Sequence, residues 1–453
     1  MSSLMSDLRL AWLLTRGSDR REWWRVLLTA VGATAAAGLG LVVAVLLPLK
    51  GHHRVSVGGG LLDEPGTRIG VVAALLLLFI PVLGFLGQCA RVGAVHRDRR
   101  LAALRLAGAG PGQTRRIAAL ESGLACLAGS AVATAFAVPA LLRLWHSPVP
   151  LAWAGIAVVT VGVPVLGAAV SALMLRAVVA SPLGRIRRLR PAEGPGRLFR
   201  VATAVLALTV VYILTTPFHD VPFEFALTPL TVFGVCLLIG AVAVWLTGAS
   251  ARQLGEGVAA RAQRPAVLIA AERLREDPWA AARTHAAVLL VTVVGSGFMG
   301  IRQVLLSVLR DRADRYAEGI RFYENGLNLV GLALLFALAL VLTALAVGTA
   351  ESVATRRRGL AAQVAAGVPY PVLARATLLE TAVPLAPALT LAGLGGLTIG
   401  VWYGSTASEH TAIPVPYDAL LVPLGVYAAC LLAAATSLPL LRRSVRPGEL
   451  RYA

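Results

Sequence analysis

Lysine is almost missing from this chain: Lys50 stands alone against 41 arginines. Gly51 and His52 follow it, so no GxxxxGK[ST] phosphate loop exists and the chain cannot itself supply an ATP site of that kind. HExxH and Ser/His/Asp signals are absent as well, and no cofactor is expected in this chain. The four cysteines, Cys89, Cys126, Cys236 and Cys430, lie far apart within apolar runs without CxxC or Cys/His spacing, which argues against both zinc and disulfides. His52, His53, His146, His219 and His410 fall outside the apolar runs or near their outer ends, the pattern of loop histidines rather than metal ligands. Charged residues make up only 14% of the chain. Its net charge of +19 comes without a polar domain in which arginines interleave with aromatics, so nucleic acid is not the expected partner. The arginine skew fits codon usage in a GC-rich genome.

What is abundant is apolar: 57% of residues are hydrophobic and the mean hydropathy is +0.75, values that require a bilayer as solvent. About 20 residues of helix cross ~30 Å of hydrocarbon. Runs of that length predict an all-α polytopic protein with ten spans, near 26–48, 69–90, 117–142, 151–175, 201–217, 228–248, 284–303, 327–350, 376–401 and 418–441. Pro81, Pro164, Pro384 and Pro387 are compatible with spanning, because neighbouring helices can satisfy freed carbonyls. The first run is too long for a signal-peptide core and reads as a retained span behind a cytosolic amphipathic segment, 1–25. With the N-terminus inside, the cytosolic segments hold 33 of the 42 Lys and Arg residues, which places both termini in the cytosol.

The chain also resembles itself. At a constant offset of 259, RDRRLAALRLAGAGPGQTRRIAALE (97–121) lies over RRRGLAAQVAAGVPYPVLARATLLE (356–380) with ten of 25 positions identical. Arg97 falls on Arg356, Arg99 on Arg358, Gly108 on Gly367, Arg116 on Arg375 and Glu121 on Glu380. An even number of spans separates the copies, so the repeat is parallel: a first four-span unit (26–191), linking spans five and six with their loops (192–270), and a second four-span unit (271–453). Each repeated segment reads as a short basic helix under the membrane. The first presents Leu101 and Leu104, with Arg100 beside them, and ends at Gly108; the second carries Arg357 and Leu360 and ends at Gly367.

These residues carry a family resemblance. The run RDRRLAALRLAGAGPGQTRRIAALES resembles the signature of FtsX-like permeases, with an Arg-rich stretch, a Leu-Arg pair, a Gly-Ala turn and a Glu early in the next span. RRRGLAAQVAAGVPYPVLARATLLET is similar to a weaker version of it, and SPLGRIRRLRP (181–191) and ERLREDPWAAART (272–284) add to the likeness. The resemblance implies a membrane subunit of an ABC transporter in a bacterial plasma membrane. Two copies of a cytosolic ATPase, which bind ATP and Mg, would contact the stretch between the second and third span of each unit. Duplicated ten-span members resemble peptide-antibiotic detoxification permeases. Two departures stand out: Arg100 and Gly359 occupy places where many members carry an acidic residue, and the external segments 49–68 and 304–326 have only about twenty residues each.

Glu121 and Glu380 fall about one turn inside the cytosolic boundary, where an unpaired carboxylate is costly and arginines of the preceding short helix are natural partners. A structural clamp, direct proton coupling and plain interfacial exposure are the readings open to them. Segment 302–326 reads either as a helical hairpin tip or as a substrate-contacting gate, and Gly32, Ala36 and Gly40 form a stripe suited to helix packing. Membrane lipids apart, two functions fit: ATP-driven export or extraction of an amphiphile such as an antimicrobial peptide or lipid, and ATPase-linked signalling to a sensor kinase or cell-wall enzyme. A proton-coupled carrier would need ionisable residues at the span centres, which are nearly free of them.

Overall fold

A proline at the first helical position costs no hydrogen bond, and the chain uses this repeatedly: helices begin on Pro65, Pro111, Pro150, Pro265 and Pro278. The computed structural model describes residues 2–16, 20–52, 62–63, 65–89, 100, 103–144, 149–174, 197–215, 224–311, 320–407 and 415–444. Among them all regular structure is helical. In chain order the helices are α1 (Ser2–Arg16), α2 (Arg20–Leu46), α3 (Pro65–Cys89), α4 (Pro111–Leu144), α5 (Pro150–Met174), α6 (Arg197–Thr215), α7 (Glu224–Ala259), α8 (Pro265–Glu276), α9 (Pro278–Asp311), α10 (Ile320–Thr355), α11 (Arg357–Ala365), α12 (Tyr370–Ala407), a 3₁₀ turn (Tyr417–Leu420), α13 (Leu421–Ala435) and α14 (Leu438–Ser444).

Among the described residues eight stretches, within α2, α4, α5, α7, α9, α10, α12 and Tyr417–Arg442, are long and apolar enough to cross a membrane. The runs expected at 69–90 and 201–217 are helical too, but the apolar stretches found among their described residues, Pro65–Phe79 and Arg200–Thr209, are shorter. Phe136, Val158, Leu208, Leu332 and Leu432 stand exposed on these helices, a surface that needs lipid rather than water to cover it. The chain therefore fits a transmembrane protein. Pro139, Pro164, Pro384 and Pro387 all lie inside continuous helices.

The chain divides into two compact units, Met1–Leu189 and Arg190–Ala453. In the first, α2 packs on α4, α4 on α5, and α1 lies along α4. Ala37, Leu41, Ala133, Leu141 and Ile156 form an apolar cluster among α2, α4 and α5. The small-residue stripe of α2 meets neighbours: Gly32 faces Phe85 and Leu86 of α3, and Gly40 faces Val159 of α5. A hydroxyl seam joins α4 to α5, with Ser122 Oγ donating to Ser171 Oγ (3.0 Å), Ser130 Oγ to the Thr160 carbonyl (2.9 Å), and Thr134 and Thr160 hydroxyls paired at 2.9 Å.

In the second unit α9 and α12 form the central pair, α7 packs on both, and α6 packs on α7. Close approach requires residues without side chains at the crossing: Gly300 faces the Gly396 carbonyl and Gly400, and a Cβ added to Gly396 would collide with Ser296. Helix α9 continues well past the expected span end at 303, with Val304, Leu306 and Leu309 buried. Beyond its middle it is tied to α10 by Arg302 Nη2 donating to Asn328 Oδ1 (3.1 Å) and by an Arg310–Glu324 pair (3.3 Å). The tip of that hairpin, 312–319, lies outside the described residues.

Candidate functional site

The repeated segment closes with the same backbone geometry in both copies. A helix can end tightly when the residue after its C-cap takes a left-handed conformation, which glycine adopts without steric cost. Gly108 has φ +96° and Gly367 φ +93°. Around Gly108 the Gly108 N–H donates to the Arg105 carbonyl and the Ala109 N–H to the Leu104 carbonyl; around Gly367 the Gly367 N–H donates to the Val364 carbonyl and the Val368 N–H to the Gln363 carbonyl, all at 2.9–3.0 Å. Those bonds are related residue by residue by the offset of 259, and together they are a Schellman closure. It turns the chain directly into α4 at Pro111 and into α12 at Tyr370.

Of the short helices, the second is α11, with Arg356 at its N-cap and Leu360 buried among Val353, Leu373 and Leu441. Arg357 and Arg358 are exposed. In the first, Arg100 and residues 103–106 are helical and Leu104 is half-buried, while Arg97, Arg99 and Leu101 lie outside the described residues. The segments at 181–191 and 445–453 lie outside them as well.

Nearly three helical turns into α4 and into α12 stands a glutamate held between two arginines. The Arg25 and Arg100 guanidiniums both reach Glu121, Arg100 Nη2 donating to Oε2 at 2.6 Å and Arg25 Nη2 to Oε1. Glu380 receives Arg356 Nη1 at 3.2 Å and Arg273 Nη1, and Arg273 also donates to the Gln363 side chain at 3.3 Å. In each copy one arginine comes from the short helix and a second from another element. In the first unit that element is α2; in the second it is the separate helix α8. Among the described residues each glutamate receives two guanidiniums.

Their environments differ. The Glu121 and Arg25 side chains are 2% and 6% exposed, whereas those of Glu380 and Arg356 are 19% and 47% exposed. A charge pair sealed from water gains strongly from Coulomb attraction and loses as strongly when a partner is removed; a hydrated pair does neither. Arg100, Arg273 and Glu380 are all 16–19% exposed, so the nodes differ in the sealed Glu121–Arg25 pair of the first and the hydrated Arg356 of the second. The first is braced further by α1: buried Asp7 accepts from Arg116 Nε and Gln113 Nε2, each at 3.1 Å, on the turns of α4 before Glu121.

Sequence reasoning identified the two glutamates and missed Arg25, Arg273 and Asp7. The available signal for Arg25 was a guanidinium standing directly against the start of the first apolar run, behind Trp23 and Trp24, where a charge near the bilayer is best retained with a partner. It also missed Arg68, which is buried and donates to the carbonyls of Leu62 (3.1 Å), Leu49 (2.9 Å), Gly51 (2.7 Å) and Asp63 (3.2 Å), gathering the connection between α2 and α3 around one side chain. Among the histidines, His285 is buried in α9 with Nδ1 bonded to the Ala281 carbonyl at 2.8 Å. His53, His146, His219 and His410 lie outside the described residues, within which no three His, Cys, Asp or Glu side chains cluster. No protein-family model and no curated protein matches the chain.

Proposed function

We propose that this chain is the membrane-spanning permease subunit of an ABC transporter of the FtsX-like kind. In this reading it sits in a bacterial plasma membrane, with both termini cytosolic and ten spans arranged as two parallel four-span units joined by two linking spans. The observation that carries the reading is the pair of glycine-closed short helices, each leading into a helix whose glutamate is held by an arginine of that short helix. Such a unit transfers force: a push on the short helix reaches the spanning helix through a rigid turn and a charge-assisted bond rather than through a slack loop.

The push comes from a separate cytosolic ATPase, two copies per chain, which bind ATP and Mg. Arg356, Arg357 and Arg358, exposed at the start of α11, offer it a basic surface. ATPase closure moves both short helices and rearranges the opposite ends of the units, releasing an amphiphile such as an antimicrobial peptide or a lipid. The same chain could instead pass ATPase state to a sensor kinase, and the experiment separates the two.

The chain purified from its native membranes should carry a Walker A ATPase and have no ATP hydrolysis of its own. Glu121→Ala and Glu380→Ala should leave that complex assembled while stimulated hydrolysis and substrate release in liposomes fall together; Arg356→Glu should weaken assembly. Loss of a kinase response with no substrate movement in the wild type would favour signalling. Wild-type behaviour of all three variants would remove the coupling role.

A further inference from the structure

Where α7 turns into α8, a groove of about 560 Å³ opens between Gln253, Leu254, Gly257 and Val258 of the last turns of α7, the connection Arg261–Arg264, and Val267 of α8. Its walls are of two kinds. Leu254, Val258 and Val267 are apolar, and Leu254 and the nearby Leu268 are exposed. Arg261, Arg264, Gln253 and Gln263 supply the polar rim, and among the described residues no carboxylate lines the groove. Glu256, the nearest acid along α7, pairs outside it with Arg252 at 3.3 Å.

Its depth follows from helix length. Helix α7 runs 36 residues, about 54 Å at 1.5 Å per residue against ~30 Å of hydrocarbon, and Arg252, Gln253 and Glu256 interrupt its long apolar run only in the last turns. The last turns of α7 therefore lie in a headgroup layer, and the arginine count places that layer on the cytosolic side. An apolar wall continuous with the acyl region, capped by two guanidiniums without a carboxylate, matches a molecule with a hydrocarbon tail and a phosphate.

We infer that this groove binds an anionic phospholipid, the headgroup phosphate between Arg261 and Arg264 and an acyl chain along Leu254, Val258 and Val267. The site depends on α7 spanning the membrane and not on any ATPase partner, so it stands or falls apart from the proposed transport function.

The test uses the full chain reconstituted in vesicles with phosphatidylglycerol or phosphatidylcholine bearing a photoactivatable acyl chain, and maps the labelled peptide. Phosphatidylglycerol should label 253–267 on the order of tenfold more than phosphatidylcholine, two basic contacts being enough for that preference. Arg261→Ala with Arg264→Ala should abolish the preference, and the paired Lys substitutions should keep most of it. Gly257→Phe, at a position where a side chain meets open space, should cut labelling with both arginines in place. Excess glycerol phosphate should not compete. Equal labelling by the two lipids, a preference that survives the double Ala variant, full labelling of the Phe variant, or competition by glycerol phosphate, which would mark a free-anion site, would each overturn the inference.

Discussion

Glu121→Ala leaves the buried Arg25 guanidinium without its carboxylate, at a cost of about 3 kcal/mol. Glu380→Ala leaves the mostly buried Arg273 and the hydrated Arg356 without their carboxylate and should cost about 2 kcal/mol, less than the loss of Glu121. Thermal unfolding in one detergent should therefore show the larger drop for Glu121→Ala, and adding Arg25→Met should recover part of it by removing the buried charge. Equal midpoints would mean that the difference in burial has no energetic content. Arg68→Ala strips donors from four carbonyls and should cost on the order of 3 kcal/mol, seen as faster protease cleavage between residues 47 and 64. The glutamates were legible because they repeat at one offset. Their second arginines were not, since Arg273 follows Arg25 by 248 residues rather than 259: the two copies draw the charge from different elements, which self-alignment has no means of matching. Arg68 appeared only as one positive charge among the nine outside the cytosolic segments, because carbonyl acceptors leave no side-chain signature.

At the level of elements, glycine separates two kinds of constraint. Gly108 and Gly367 need their backbone angle, and nothing lies within 4 Å of an added Cβ, so Ala at either should cost about 1 kcal/mol, with Asn milder. Gly396 needs space, and Ala there should part α9 from α12, lowering yield and the unfolding midpoint well beyond the effect of Gly367→Ala. Measuring both in the same detergent checks the order. Hydrophobic runs announced most of the long helices but not their ends. The span expected at 376–401 is part of a helix from Tyr370 to Ala407, because a hydropathy criterion stops where polar residues begin and the hydrogen-bond ladder does not. The same reason extends α9 to Asp311. The punctuation Gly108, Pro111 and Gly367 was readable, since those residues act locally.

For the molecule as a whole, the proposed topology predicts that a cysteine at position 52 is labelled by an impermeant thiol reagent in sealed cells, and that cysteines at 263 and 358 are labelled only after permeabilisation. The four native cysteines are buried and unbridged, which keeps the background low. Labelling of 263 or 358 in sealed cells would invert the arrangement. Self-comparison leaves α6 and α7 outside both copies, while packing assigns them to the second unit; repeated sequence reports ancestry, and contact is decided by surfaces that need not repeat. That unit contains α9, α10 and α12, of 34, 36 and 38 residues, which run about 51 to 57 Å against ~30 Å of hydrocarbon. Some 20 Å of each is helix outside the oily layer, continuous with the helix inside it. Geometry then acts as an amplifier in α9 and α10, which carry no proline beyond the first residue of α9: a tilt of about 10° within the bilayer swings the far end of a 20 Å arm by about 3.5 Å, a full van der Waals contact, whereas Pro384 and Pro387 give α12 a place to bend.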